Sequence, residues 1–94
     1  MVKPQTFGFE EAAEEGSVTK FVKETERGRV IVYETDEISV QVNEALKSPS
    51  VAVASSGFFW RGTISEGSLY ESKLTDSIAD AHDAAQDHIR EALA

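Results

Sequence analysis

From Leu74 to Ala92 the apolar residues recur at spacings of three and four. On a wheel of ~100° per residue, Leu74, Ile78, Ala81, Ala85, Ile89 and Ala92 fall within about 40° of one direction. Asp76, Asp80, Asp83 and Asp87 fall within about 40° of the opposite direction. This predicts one long C-terminal helix with an apolar face and an aspartate face. Thr75 is the expected N-cap, with Asp76 favourable in the first turn and Ser72 as the alternative cap.

Upstream the period is two. Val18, Lys20, Val22 and Glu24 alternate with Thr19, Phe21, Lys23 and Thr25, and Glu26-Arg27-Gly28 supplies a hairpin turn. Arg29–Thr35 is rich in β-branched residues and apolar on both faces, as a central strand should be. After Asp36-Glu37, the residues Ile38, Val40 and Val42 alternate with Ser39, Gln41 and Asn43. Residues 36–47 also fit helical spacing, through Ile38, Val42, Ala45 and Leu46; the β-branched residues favour the strand. Val51–Ala54 is a short apolar strand. Phe58–Ser65 reads as another, turned at Glu66-Gly67 and returned by Ser68–Glu71.

The N-terminus is less regular. Residues 1–8, broken by Pro4 and Gly8, read as a flexible arm. Phe9–Glu15 reads as a short helix stopped by Gly16, although Glu14 and Glu15 oppose its dipole. The whole predicts a single α+β domain over residues 1–94. An antiparallel sheet of four to six strands packs on the C-terminal helix in a two-layer sandwich.

Composition narrows the function. The chain has no cysteine, so disulfides, thiolate metal sites and thiol nucleophiles are excluded. It has neither an apolar run long enough to span a membrane nor the apolar core of a secretory signal, so a cytoplasmic protein is expected. The net charge of −8 disfavours nucleic acid as a partner and favours a basic protein surface.

Chemical motifs are sparse. His82 and His88 are six apart on the expected helix, the wrong spacing for a shared metal, and each borders the apolar face as a structural boundary residue would. Gly62–Ser68 has the glycine spacing of a phosphate loop but no lysine before its serine. Ser17-Val18-Thr19-Lys20 matches a catalytic Ser-x-x-Lys without its companion motifs. No catalytic residue, cofactor or metal is expected, and the protein is read as a non-enzyme.

Two features remain. The aspartate row, Asp76, Asp80, Asp83 and Asp87, sets like charges at helical neighbours, which costs a few tenths of a kcal/mol per pair. A row kept despite that cost is a candidate partner-binding face, as against a merely solvated one. Phe58-Phe59-Trp60 must divide between two sheet faces, so Phe59 and Trp60 are candidates for a hydrophobic contact unless the second face is covered. The only basic cluster is Lys20, Lys23, Arg27 and Arg29 on the first hairpin.

Strands followed by a helix resemble double-stranded-RNA-binding domains in topology. Those place a basic cluster at the start of the last helix, where this chain reads Ser72-Lys73-Leu74-Thr75-Asp76. In size and charge the chain resembles small acidic proteins that phages encode against host defence systems. That resemblance implies an inhibitor or adaptor whose acidic helix mimics nucleic acid on a basic protein surface. The alternatives are a homodimeric assembly protein and a weak RNA binder using Lys20 to Arg29.

Overall fold

The structure is a computed structural model. It describes residues 4–55, 57–60, 63–65 and 68–94. Glu66-Gly67, the expected turn, lies outside them, as do part of the Gly62–Ser68 stretch and the side chain of Phe59.

In chain order the strands are β1 (Glu10–Glu15), β2 (Val18–Thr25), β3 (Gly28–Glu34), β4 (Ile38–Asn43), β5 (Ser50–Ser55), β6 (Phe58–Trp60), β7 (Thr63–Ser65) and β8 (Ser68–Leu74). Six of them form one antiparallel sheet, hydrogen-bonded in the order β1-β2-β3-β4-β5-β8. β6 and β7 make a separate two-stranded hairpin between β5 and β8. The helix α1 (Ile78–Leu93) lies across β4 and β5. The expected α+β two-layer architecture is the one observed, with the sheet at the upper end of the expected strand number. Ile38–Asn43 is a strand, which settles the ambiguity over residues 36–47.

The period-two pattern builds two cores on the two sheet faces. Under α1, Ile31, Ile38, Val40, Val42, Val51 and Val53 pack against Ala81, Ala85 and Ile89. Ala81 and Ala85 are fully buried, and their small side chains bring the helix backbone close to the β-branched layer. On the other face Phe9, Phe21, Val30, Val32, Phe58 and Trp60 form a second cluster, with Phe7 against it. Ile31 and Val32 therefore face opposite cores, which is why the middle of β3, Val30–Val32, is apolar on both faces.

Several local expectations are corrected. Residues 10–15 are a strand, not a helix: they pair with β2 from Glu10↔Val22 to Glu15↔Val18, with a register shift between Glu11 and Ala13. Two turns of helix ending in glutamates are marginal, while edge pairing beside the buried Phe9 satisfies the backbone. Gly16, at φ 61°, opens the β1–β2 turn and does not cap a helix. The short N-terminal helical turn is Pro4–Phe7, a 3-10 turn with Pro4 buried.

Phe58–Ser65 is not one strand, because Phe58–Trp60 and Thr63–Ser65 pair antiparallel with each other. β8 accordingly pairs with β5 and not with the Phe58 strand. Leu74 ends β8 and is 71% exposed, so it is not part of the helix face. The helix begins three residues beyond the expected cap. Thr75 directs its hydroxyl to the carbonyls of Pro49, at 3.1 Å, and Ser77, at 2.9 Å. The cap is Ser77, whose Oγ accepts from the Asp80 N–H at 3.0 Å.

Candidate functional site

Opposite its buried stripe, α1 presents Asp80, Asp83 and Asp87, all exposed, with Asp76 exposed just ahead of the cap. Their settings differ. Asp80 occupies the first turn, where the helix dipole favours a carboxylate. Asp87 accepts a hydrogen bond from Arg90 Nη2 one turn later. Asp76, Asp80 and Asp83 have no ion-pair partner among the described residues.

The flanks of the helix are tied to the sheet by its two histidines. His82 Nε2 lies 2.5 Å from Glu44 Oε2, and the other oxygen, Oε1, accepts from Arg29 Nε at 2.8 Å. The backbone brings this group together. Gly28 has φ +146°, and a Cβ there would lie 2.7 Å from the Glu44 carbonyl oxygen. The Glu44 N–H donates to the Arg29 carbonyl at 2.8 Å. Arg29, hydrogen-bonded to Glu44, holds that carboxyl below the ordinary glutamate range, and His82 adds to the effect. On the other flank His88 Nε2 lies 3.2 Å from Glu71 Oε2 on β8. The histidines thus meet Glu44, just past the end of β4, and Glu71 on β8, and not each other.

Beside His88 a cleft of about 310 Å³ extends the acidic surface. Glu37, Glu71 and Glu91 line it, together with Tyr70 and His88, over Ile38 and Ala92. Partial burial pushes the Tyr70 phenol up, and Glu71, Glu37 and Glu91 push it further. On the opposite side of α1 a second cleft lies between the helix and strands β1–β3. The cleft there, about 300 Å³, is lined by Ala13, Val18, Lys20, Tyr33, Ile89 and Leu93, among others.

The aromatic run faces inward. Trp60 is 9% exposed and Phe58 almost fully buried. The Phe9 ring meets Phe58 edge-on at 5.5 Å and Trp60 edge-on at 5.0 Å. The second sheet face is therefore covered at Trp60, one of the two aromatic candidates; the other, Phe59, has its side chain outside the described residues.

The four bases of the first hairpin do not form one patch. Lys20 shares the α1 side of β2 with Val18 and Val22, while Lys23 shares the opposite side with Phe21. Lys23 Nζ donates to the Phe7 carbonyl at 2.5 Å and sits 5.4 Å from the Trp60 ring centre and 5.8 Å from that of Phe9. Arg29 is held by Glu44, and Arg27 is exposed in the turn.

Among the described residues no group of three or more His, Asp or Glu side chains is placed to hold a metal ion. Among them no helix is long and apolar enough to cross a membrane. Comparison with protein-family models, with curated proteins and with solved structures finds no match for this chain.

Two features of the site escaped sequence reasoning. Glu44 sits 38 residues from His82, and no local pattern marks it as their meeting point. The acidic cleft joins carboxylates from the β3–β4 turn, β8 and α1, so only the tertiary fold assembles it.

Proposed function

We propose that this chain is a small non-enzymatic binding module that presents the acidic face of α1 to a basic surface on another protein. The observation that carries this reading is the outward row of Asp76, Asp80 and Asp83, exposed and without ion-pair partners among the described residues. Glu37, Glu71 and Glu91 continue the negative surface along one flank, and the net charge of −8 adds a long-range field. A surface of this kind is complementary to proteins that hold nucleic-acid phosphates, which supports an inhibitor or adaptor acting by charge mimicry. The two histidines anchor the helix to the sheet, so the row is presented in a fixed geometry.

The test changes Asp80, Asp83 and Asp87 together to Asn, which removes three charges while keeping side-chain size. With a basic partner recovered on the immobilised wild-type chain, association rates are compared at low and at high salt. The variant should associate about tenfold or more slowly at low salt, and the gap should narrow as salt rises. A variant with an unchanged rate and a slightly higher melting temperature would reduce the row to a solvated face.

A further inference from the structure

We propose that the outer edge of β8 joins two copies of this chain about a two-fold axis at Ser72. β8 is the terminal strand of the six-stranded sheet, and among the described residues no strand pairs with its outer side. An unpaired edge is a template for another strand, and the sequence of this one is complementary to itself. With Ser72 set opposite its own counterpart in an antiparallel pair, Glu71 faces Lys73 of the second copy and Lys73 faces Glu71. Both residues lie on the α1 side of the sheet, since they pair in register with Val53 and Val51 beneath the helix. Lys73 is exposed and has no ion-pair partner among the described residues, while Glu71 is 39% exposed and is paired with His88. The same register brings Leu74, 71% exposed, towards the strand segment that carries Tyr70, 55% exposed. Two of the chain's large exposed apolar side chains are thus covered by one contact.

The opposite edge of the sheet cannot serve in this way. β1 carries Glu10, Glu11, Glu14 and Glu15, and full self-overlap would set Glu10 against Glu15 and Glu11 against Glu14. A β8-to-β1 contact between copies would be heterologous and would propagate without closing. Only the β8 pair is both charge-matched and closed. It would place both α1 helices on the same face of a continuous sheet, because the axis runs normal to the sheet.

The experiment measures mass by light scattering across concentration for the full chain and its variants. The wild-type mass should rise from that of one chain to that of two as concentration increases. Glu71→Lys alone and Lys73→Glu alone should each weaken it by about tenfold or more, since each sets two like-charge pairs across the axis. The double exchange should restore it to within about threefold of the wild type. The chain has no cysteine, so Ser72→Cys supplies a single thiol that should form an interchain disulfide at the axis under mild oxidation. Asp83→Cys, on the outer helix face, should not. Should a charge variant fail to fold by circular dichroism, the cysteine trap decides alone. Any of four results would overturn the proposal: a wild-type chain that stays monomeric throughout, a dimer indifferent to the single reversals, a double exchange that fails to restore it, or a Ser72→Cys thiol that stays reduced.

Discussion

Glu44 links the helix to the sheet because its two oxygens serve different elements: Arg29 on β3 and His82 on α1. Its carboxyl is held below the ordinary range, chiefly by the hydrogen bond from Arg29. Folded-state depression means that Glu44 stabilises the protein above the unfolded pKa of about 4.3 and stops doing so as pH falls through the folded value. Glu44→Gln should therefore lower the melting temperature by a few degrees at pH 7, and the difference should shrink as pH falls below the unfolded value and through the folded one. Melting curves from pH 7 to pH 3 check this; a gap of constant size would show that charge on Glu44 is immaterial. At this scale the sequence was half legible. His82 and His88 could be placed at the border of the apolar stripe from spacing alone, but their carboxylate partners belong to distant elements and could not. Phe58 and Trp60 could be assigned to one side of a strand by alternation. That this side is covered depends on Phe7 and Phe9, whose segment has no periodic signal to place it.

Among the elements, α1, β2 and β4 were legible from a sustained period, and β3 and β5 from continuous runs rich in apolar and β-branched residues. β1 was not. Its sequence, Glu-Glu-Ala-Ala-Glu-Glu, favours helix by propensity, but pairing with β2 outweighs that preference at a sheet edge. The helix start was misplaced for a similar reason: Thr75 is a sound cap by type, and a nonlocal carbonyl, that of Pro49, engages its hydroxyl. The burial of α1 yields a sharp contrast. Ala85 is fully buried against the sheet, so Ala85→Asp places an unpaired carboxylate in the core and should cost several kcal/mol, enough to unfold a domain of this size. Asp83→Lys, on the exposed face, should stay within about 0.5 kcal/mol. Thermal melts monitored by circular dichroism distinguish them. A cooperative, near-native melt for Ala85→Asp would mean that the helix is rotated about its axis.

Over the whole molecule, charge and topology act together against nucleic acid. Lys20, Lys23, Arg27 and Arg29 are close in sequence, but the alternation of β2 sends Lys20 and Lys23 to opposite faces, and the odd spacing between them already implied as much. Lys23 is then engaged by the Phe7 carbonyl and two rings, and Arg29 by Glu44. Backbone phosphates are held by several cations on one surface, each releasing counterions as it binds. The hairpin bases do not share one surface, and a net charge of −8 gives a long-range field that disfavours a polyanion. Double-stranded RNA and DNA should therefore show no submicromolar binding at physiological salt, and lowering the salt should not recover a tight complex. Fluorescence anisotropy with labelled duplexes at two salt concentrations makes the measurement, with Lys20→Ala and Arg27→Ala combined as the comparison. Tight binding that weakens with salt and disappears in that double variant would place the functional surface on the first hairpin. The acidic face of α1 would then be the solvated side of a nucleic-acid binder.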